Sequence, residues 1–564
     1  MRPGRPQPSP SASDTALVWA ALVLLVTAGW FWLASELSAW ILSGRWPACP
    51  LGGIAQAAAG VPAHLEDPAR SWPGVEALSR SGPGGGVCFY SVAAGMAGVG
   101  AGLAVGGSRT GRRRGSGGFG RTSTGARWAR CNDLRSLRVR GARPGRVVIG
   151  RSGAGRSLLA TEARHSLLVI GPTQSGKTTG LAVPAILEWS GPIVATSVKD
   201  DLASATAGPR AKVGPCWLFD PTAGPDSKRS RWSPLSGCQT WSAAQRMATW
   251  LVESTPGRRG LADAAFWYAT AAKQLAPLLL AAERGDMAMR EVVRWTNSEN
   301  FEEPAYLLRM SGEGDAALAL DACAARDDRI RSSVTTTLET VLSPFEDPFV
   351  SASTSGTDID VRGLLRRSGT LFLCGPSHEQ ARVQGLFAAL VSSVIAAAVE
   401  ETARTGRALH PPLLLVLDEA ANIAPIRDLD TLASTGAGLG IQLVTVCQDL
   451  AQLAARYDAE RSRTIANNHR AKLLLSGVGD LQTLDLISGL AGEQAVREES
   501  VTHDMKGGGR SRSVATVIRR LAPTDQLRRV VPGEGVLVYG HLPPVRIRLR
   551  PWYRERGLRR RAAG

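Results

Sequence analysis

The sequence has few residues of the kinds that hold structural metals. Its eight cysteines are scattered with no Cys-x-x-Cys pair, and its seven histidines are equally dispersed. Neither a zinc site nor a disulfide framework is indicated, and we expect most of the cysteines to be small buried hydrophobic residues. The one metal that we expect is Mg²⁺ carried by a bound nucleotide.

Acidic residues are also in the minority, with 49 Asp and Glu against 66 Lys and Arg, which leaves a net charge of +17. Arginine dominates the basic side, and arginine suits phosphate contacts. A charge total alone does not separate nucleic-acid affinity from an arginine-rich composition with basic loops beside a membrane. The 564 residues, 44% of them hydrophobic, are enough for two to four domains with a sizeable core.

Two N-terminal stretches lack charge altogether. Residues 15–33 are apolar, and the apolar character continues to about residue 42, which is long enough to span a bilayer. The alternative is a signal peptide, but the apolar segment is too long and no small-x-small cleavage site follows it. Residues 87–106 form a second charge-free stretch rich in Gly and Ala, for which the alternative is a buried loop.

A basic cluster after the second stretch orients this region. The cluster predicts that the following chain is in the cytoplasm, so both termini are expected on the cytoplasmic side of the cell membrane; it consists of Arg109, Arg112, Arg113 and Arg114. The expected order is a disordered cytoplasmic tail (1–14), a membrane domain with spans at about 15–42 and 87–106 and an external loop at 43–86, and a basic linker (107–146). The linker could contact anionic lipid headgroups, DNA or only water, and its position beside the membrane favours the headgroups.

The central motif of the chain is a complete G-x-x-x-x-G-K-[ST] phosphate loop. A short apolar strand at 166–170 precedes it and a helix at 179–189 follows, with Pro184 expected to kink or delimit the first turns. Such loops bind ATP through successive backbone N–H groups and the helix N-terminus. Lys177 is predicted to reach the β- and γ-phosphates and Thr178 to bind Mg²⁺. The predicted nucleotide-binding residues are Gly171, Pro172, Thr173, Gln174, Ser175, Gly176, Lys177 and Thr178.

A second motif supplies acids. The apolar strand 412–417 ends at Asp418 and Glu419, and these residues are predicted to order Mg²⁺ and to activate the attacking water, respectively. The strand 440–447 ends at Gln448, which could sense the γ-phosphate or orient water; the alternative is an ordinary polar strand end. With Lys177, the predicted catalytic residues are therefore Glu419 and Gln448.

The remaining pattern predicts an α/β fold with a parallel sheet. Strand signals nearly vanish between 240 and 341, where helical periodicity, including one long helix at 316–342, predicts an inserted all-helical domain. A basic, glycine-rich loop is predicted at 507–512, a closing hairpin around Pro543-Pro544, and a solvated basic tail at 551–564. Further strands are predicted at 147–150, 192–197, 216–219, 369–374 and 471–476.

The order of these parts resembles the type IV secretion coupling proteins, the TraG/TraD family of conjugative ATPases. The resemblance covers nearly the whole chain and includes the two N-terminal spans and the phosphate loop. The more specific motifs are Leu417-Asp418-Glu419-Ala420-Ala421-Asn422 and Gln448-Asp449-Leu450-Ala451-Gln452-Leu453. Other similar stretches are Ser197–Asp200, Phe219–Thr222, Trp232–Leu235, Ala466–Asn468 and Leu542–Arg546.

The resemblance implies a RecA-like domain (147–239 and 342–550) with the all-helical domain (240–341) inserted. It implies a homo-hexameric ring on the inner membrane face, in which ATP hydrolysis drives relaxase-bound single-stranded DNA, or protein substrates, toward the channel components of a type IV secretion system. One departure is Ala437, where members often carry arginine. No arginine finger is carried over; Arg463, Arg470 and Arg382 are candidates by general location only.

Three other functions stay open. A double-stranded DNA pump of the FtsK type shares the spans and the motor, but such pumps usually carry a C-terminal winged-helix reader, and nothing after Arg519 resembles one. A docking platform that binds ATP without hydrolysis does not need Glu419. A secretion motor for proteins only is not separated from DNA transfer, because the helical insert carries no readable cargo code.

Overall fold

The computed structural model describes residues 125–563, except 154–156, 225–226, 256–263 and 504–509, together with residues 87–96 and parts of 29–41. The chain divides into two units, Met1–Thr122 and Ser123–Gly564. The tail predicted at 1–14, the loop at 43–86, most of the first predicted span and half of the second lie outside the described residues. Within the second predicted span, Val87–Met96 is an apolar helix.

The described strands are β1 (Arg138–Val139), β2 (Val148–Ser152), β3 (Leu158–Ala160), β4 (Leu167–Ile170), β5 (Ile193–Ser197), β6 (Cys216–Phe219), β7 (Thr370–Cys374), β8 (Leu413–Leu417), β9 (Ile441–Cys447), β10 (Ala471–Leu475), β11 (Glu493–His503), β12 (Arg510–Arg520), β13 (Glu534–Tyr539) and β14 (Leu542–Arg548). Twelve of them form one mixed sheet in the order β1-β3-β2-β14-β13-β10-β4-β9-β8-β5-β7-β6. The seven strands from β10 to β6 are parallel, and the five at the other end pair antiparallel.

The central parallel strands are buried on both faces, which explains their continuous apolar sequences. Every residue of β4 and of β8 is fully buried. Successive side chains of a strand point to opposite faces, and they join two different cores. Leu168 and Ile170 belong to one hydrophobic cluster, whereas Leu167 and Val169 belong to the other.

Helices cover both faces of this sheet. The helix after the phosphate loop, here called the phosphate-loop helix, begins as a π-helical segment, Thr178–Ala182, and continues as Val183–Glu188. The others are Asp201–Ala211, Trp241–Glu253, Ala264–Arg284, Met289–Asn297, Glu302–Met310, Gly314–Ala324, Asp328–Leu342, Pro348–Ser353, Val361–Arg366, Gln380–Thr405, Leu429–Leu439, Leu450–Tyr457, Ala459–Asn468, Leu481–Ala491, Thr524–Arg528 and Arg556–Ala562.

The helical region contains two helices where one was predicted at 316–342. The first ends at Ala324, and Asp327 begins the second by accepting a hydrogen bond from the backbone N–H of Arg329 at 3.0 Å. An aspartate in this position caps a new helix rather than continuing the old one. Further short helices extend the helical region to Arg366, past its predicted end at 341.

Two features near the C-terminus differ from prediction. The loop predicted at 507–512 ends earlier, because β12 begins at Arg510 and pairs with β11 in a long hairpin that the pattern analysis missed. Pro543 and Pro544 lie within β14, and the turn of the closing hairpin is at Gly540 and His541. Gly540 has a positive φ of 51°, a conformation that suits glycine at a tight turn.

The folded body also starts earlier than the predicted linker end at 146. Leu134 and Leu137 are buried, and β1 pairs antiparallel with β3. These apolar residues are separated by arginines, so their pattern was hidden in a basic stretch.

One described helix, Gln380–Thr405, is long and apolar enough to cross a membrane by composition alone. However, 61% of its most apolar window is buried within the fold. Phe387, Leu390 and Val394 are fully buried in the same cluster as the helical region. It is therefore a core helix of this domain.

A buried histidine lies against the central strand β9. His469 is fully buried; its Nε2 is 2.8 Å from Thr445 Oγ1 in β9, and its Nδ1 is 2.7 Å from the carbonyl oxygen of Ile465. Burial lowers the pKa of His469 to about 4 from its ordinary value of 6.5, although the contact with Ile465 opposes the shift. The folded protein therefore keeps this ring neutral where the unfolded chain would protonate it.

This histidine predicts acid sensitivity. The pKa of His469 is lower in the folded state than in the unfolded chain. The stabilisation from the neutral ring is therefore complete above pH 6.5 and is lost as the pH falls toward 4, which lowers the free energy of unfolding by about 3 kcal/mol in total. Thermal unfolding of the full-length protein should show that, between pH 7 and pH 4, His469→Gln loses less stability than the wild type does. His541→Gln, at the exposed hairpin turn, should follow the wild type. Equal slopes for His469→Gln and the wild type would contradict the assignment.

Candidate active site

Three neighbouring parallel strands bring the predicted site residues to one edge of the sheet. Strand β9 pairs with β4 on one side and with β8 on the other, and Ile170 stands opposite Cys447. All three strands run in the same direction, so their carboxyl ends meet at this edge. The phosphate loop follows β4, Gln448 follows β9, and Asp418 with Glu419 follows β8.

The phosphate loop is compact. Its first residue is tied to β9 by a hydrogen bond from Gly171 N–H to the carbonyl oxygen of Cys447 at 3.0 Å. A Cβ atom on Gly171 would lie 2.6 Å from Ser175 Oγ, so the loop closes tightly only with glycine there. Gly176 has a φ of +88° and Gln174 a φ of +65°. These left-handed residues turn the backbone around the space in which an anion would lie.

Lys177 and its neighbours have unsatisfied polar atoms. The side chain of Lys177 is 7% exposed. Within the part of the chain that the structure describes, its Nζ has no hydrogen-bond partner, and the same is true of Ser175 Oγ and Asp418 Oδ1. Burying polar atoms without partners is unfavourable. An ammonium, a hydroxyl and a carboxylate oxygen are groups that a phosphate with Mg²⁺ would satisfy, so the residues present fit this cofactor.

Asp418 lies next to the start of the phosphate-loop helix. Thr178 Oγ1 donates a hydrogen bond to Asp418 Oδ2 at 3.2 Å, which brings together the two residues predicted to hold Mg²⁺. Thr196 Oγ1 in β5 donates to the carbonyl oxygen of Asp418 at 2.8 Å and fixes its backbone. Burial raises the pKa of Asp418, the positive charge of Lys177 opposes this, and Glu419 adds to it. A bound cation would stabilise the ionised carboxylate.

Glu419 has a strained backbone. Its φ is +52°, a left-handed conformation that is costly for a residue other than glycine. The turn is held because the backbone N–H groups of Asn422 and Ile423 donate to the Glu419 carbonyl oxygen at 2.8 and 3.0 Å. The amide of Asn422 also lies 3.5 Å from Glu419 Oε2. Strain of this kind is common at functional sites.

Gln448 is half-buried between the phosphate loop and the acids, at the end of β9. Its backbone N–H donates to Gln452 Oε1 at 2.9 Å. Asp449 caps the next helix by accepting from Gln452 N–H at 2.8 Å. Movement at Gln448 would therefore be passed to the start of the helix Leu450–Tyr457.

A neighbouring cleft contains residues to which the sequence analysis gave no individual role. Its volume is about 610 Å³, and both Asn422 and Gln452 line it. Three arginines, Arg427, Arg456 and Arg461, also line it, and each has a partner: Glu253, the Ser254 carbonyl oxygen and Asp430. The two short motifs after β8 and β9 were the sequence signal for this cleft, because each combines a catalytic candidate with an amide a few residues later.

The arginine-finger candidates remain unassigned. Arg463 and Arg470 are exposed. Arg382 is engaged with Asp347 at 3.2 Å and Glu379 at 2.6 Å. Ala437, where the resembling family often has arginine, lies in the helix Leu429–Leu439. The described geometry selects none of them. Among the described residues, no group of three or more His, Cys, Asp and Glu side chains could hold a further metal ion.

Comparison with known families gives one extended match. The profile of the family described as type IV secretory system conjugative DNA transfer matches residues 127–563. The chain is 25% identical over 456 residues to the protein VirD4 of Agrobacterium fabrum, covering 77% of this chain and 66% of that protein. It is 26% identical over 412 residues to a conjugal transfer protein TraG of Escherichia coli, covering 66% and 63%. It thus spans just under two thirds of the length of these relatives.

Solved structures show the same fold. The bacterial conjugative coupling protein TrwB, in an unbound form, matches with a TM-score of 0.58 at 21% identity, covering 77% of this chain and 95% of that one. TrwB has also been solved in complex with ADP and Mg²⁺, with a TM-score of 0.56 at 20% identity over 78% of this chain and 96% of that one. The likeness establishes an α/β fold with a mixed sheet.

Proposed function

Because the chain belongs to the type IV secretory system family for conjugative DNA transfer, we propose that it is a membrane-anchored ATPase. It drives relaxase-bound single-stranded DNA, or a protein substrate, into a secretion channel. The observation that carries this proposal is the meeting of the phosphate loop, Asp418 and Glu419 at one sheet edge. TrwB, which shares the fold, binds an ATP analogue and ADP with Mg²⁺.

The roles of the chain's own residues follow from their positions. The N–H groups of the phosphate loop bind the phosphate oxygens, and the ammonium of Lys177 neutralises their charge. Thr178 and Asp418 hold Mg²⁺, which supplies positive charge beside the phosphates. Glu419 orients the attacking water and accepts its proton. Gln448, which lies at the end of β9 between the two motifs, would sense the γ-phosphate of a bound nucleotide.

Coupling to transport runs through Gln448 and Gln452. The hydrogen bond from Gln448 N–H to Gln452 Oε1 links the end of β9 to the helix Leu450–Tyr457, which borders the neighbouring cleft. Asn422 makes the equivalent link from Glu419. Loss of the γ-phosphate would therefore change the cleft at two points. Such a change can move cargo if the surface of the cleft switches between two alternative conformations.

The assembly is a homo-hexameric ring at the cytoplasmic face of the membrane, anchored by spans at 15–42 and 87–106. Both the family and the net charge of +17 support nucleic-acid cargo, because a basic surface holds a phosphate backbone without reading its sequence. Channel components of the secretion system are the partners that receive the cargo.

Single-stranded DNA is expected to raise the ATP hydrolysis rate of the full-length protein severalfold. The stimulation should exceed that by double-stranded DNA and should weaken as salt is added, because phosphate contacts release counterions. The measurement is phosphate release with each DNA at several salt concentrations. Heparin, a polyanion without bases, is the control for charge alone.

The other outcomes select other functions. Preferential stimulation by double-stranded DNA would favour a segregation-type pump. Hydrolysis that ignores all DNA would favour a motor for protein secretion. Nucleotide binding without hydrolysis, in the membrane-assembled protein as well, would favour a docking platform and would contradict the ATPase proposal.

A further inference from the structure

The segment after β14, Leu549 to Glu555, lies against the phosphate-loop helix. We refer to it as the C-terminal strap. Most of it, residues 551–555, belongs to the tail that was predicted to be solvated (551–564), and the arginines of that tail are exposed. Two leucines of this region are buried, however: Leu549 is 4% exposed, and Leu558 in the following helix Arg556–Ala562 is 1% exposed. Both belong to the same hydrophobic cluster as Ile186 of the phosphate-loop helix.

The strap supplies hydrogen bonds that Pro184 removes from the helix. Proline has no N–H, so the carbonyl groups four and five residues earlier, those of Gly180 and Thr179, lose a donor. The Gly180 carbonyl oxygen accepts from Arg550 N–H at 3.3 Å, and the Thr179 carbonyl oxygen accepts from Trp552 N–H at 3.0 Å. A residue other than proline at position 184 could have donated its N–H to one of these two carbonyl groups. In this structure the strap donates a hydrogen bond to each of them.

These contacts matter because the helix is unusual at this point. Val183 N–H donates to the carbonyl oxygen of Thr178 five residues earlier, which is the wide π-helical spacing. Lys177 and Thr178 come directly before and at the start of this wide turn. The backbone that presents the ammonium and hydroxyl of the site is therefore stabilised in part from outside the helix.

A buried ion pair fastens the other end of the same helix. Arg550 Nη1 and Nη2 contact the two carboxylate oxygens of Glu188 at 2.9 and 2.8 Å. Both side chains are nearly buried, with 6% and 11% exposed. A two-point arginine–carboxylate contact fixes orientation as well as distance. Arg151 in β2 holds the strap in turn, through Glu555 at 3.0 and 2.9 Å.

Leu549 packs directly on the two glycines of the loop and helix start. A Cβ atom on Gly176 would lie 3.3 Å from Leu549 Cδ1, and one on Gly180 would lie 2.9 Å from Leu549 Cβ. The strap therefore contacts the phosphate loop at Gly176 and the helix at Thr179, Gly180 and Glu188. Displacement of the strap would remove support from the loop and the helix together.

We propose that the C-terminal strap is part of the nucleotide site and that Arg550 is a positioning residue for nucleotide binding. The proposal rests on the proposed function, since it concerns how the same site binds ATP. Arg550 acts through Glu188 and the helix backbone, and it touches no reacting atom. The strap acts on the loop before and after nucleotide binds, so its main effect is on affinity rather than on the chemical step.

Arg550→Met tests the proposal in the full-length protein. We expect weaker binding of ATP with Mg²⁺ by about tenfold to a hundredfold, because the loss of a hydrogen bond to a charged group has an effect of this size. The KM for ATP should rise by a similar factor, and kcat should change much less. Glu188→Gln, which loses the charge but keeps the shape, should give a smaller rise. Arg550→Lys, which keeps one contact, should lie between the wild type and Arg550→Met.

Arg548→Met is the matched control, because Arg548 lies two residues earlier with an exposed side chain paired to Glu534. It should bind ATP as the wild type does. Calorimetric binding, steady-state kinetics and thermal unfolding without nucleotide are measured for every variant. If Arg550→Met does not fold, Arg550→Lys and Glu188→Gln decide the question.

Two failures are distinguishable. A wild-type protein that binds no ATP would overturn the proposed function itself. A wild type that binds ATP, together with folded Arg550 and Glu188 variants of unchanged affinity and KM, would overturn the strap proposal alone. A fall in kcat at constant KM would also overturn it, because it would place Arg550 in the chemical step.

Discussion

Glu419→Gln is expected to lower kcat for ATP hydrolysis by about a hundredfold to ten-thousandfold, the usual contribution of a general base. Glutamine keeps the length of the side chain and an oxygen that can accept from Asn422, but it does not take a proton from water at neutral pH. The strained turn at Glu419 is held by backbone bonds to Asn422 and Ile423, so the substitution should leave it intact. The measurement is phosphate release under saturating ATP and Mg²⁺.

Nucleotide binding should survive in Glu419→Gln, because the loop, Lys177, Thr178 and Asp418 are unchanged. Titration calorimetry with ATP and Mg²⁺ checks this part of the expectation. Glu460→Gln is the matched control, since Glu460 is an exposed glutamate in the first turn of the helix Ala459–Asn468. Hydrolysis by Glu419→Gln at the wild-type rate would mean that another group activates the water.

The central sheet was predictable because burial on both faces leaves a plain signal. Strands β4 and β8 are short apolar runs; β4 is followed by Gly171 and β8 by Asp418, and no amphipathic pattern is needed to recognise them. Their order in the sheet was not predicted. That β9 separates the phosphate loop from Asp418 and Glu419 depends on pairing between residues far apart in the chain.

Strand β1 and the hairpin β11–β12 were hard to predict from the sequence, for physical reasons. Strand β1 has only two residues, in an arginine-rich stretch. The hairpin β11–β12 mixes charged, polar and apolar residues, and none of the side chains described in it, at 493–499 and 514–520, is fully buried; Val514 and Ile518 are 57% and 69% exposed. Hydrophobic periodicity identifies a strand by its buried side, and the described side chains of this hairpin supply no such pattern.

The C-terminal strap illustrates a further limit. Arg550 and Glu188 are 362 residues apart in sequence, and each is one charged residue among many. Burial makes their contact significant, but burial of this pair is a property of the assembled domain. The local signals were small: a proline early in the phosphate-loop helix, and Leu549, Trp552 and Leu558 among the arginines of the tail.

Lys177→Met is expected to abolish detectable ATP binding at ordinary concentrations and to lower hydrolysis by about a hundredfold or more. The ammonium is the one positive side chain of the loop, and charged hydrogen bonds to phosphate are among the strongest in proteins. Without nucleotide, however, the variant should be no less stable than the wild type. The wild type buries Nζ with no hydrogen-bond partner among the described residues, and methionine removes that cost. The attraction between Lys177 and the Asp418 carboxylate is lost as well, but that carboxyl can take up a proton instead, because burial raises its pKa.

Lys472→Met is the control that separates the loss of a phosphate ligand from the general effect of replacing a buried lysine. Lys472 in β10 is also buried, at 8% exposed, but its Nζ donates to the carbonyl oxygen of His469 at 2.7 Å. Its replacement leaves that buried oxygen without its donor, so it should lower the melting temperature while leaving ATP affinity unchanged. Thermal unfolding of both variants with and without ATP and Mg²⁺ should therefore give opposite patterns. If Lys177→Met were destabilised without nucleotide and still bound ATP, the lysine would be a structural residue and not a phosphate ligand.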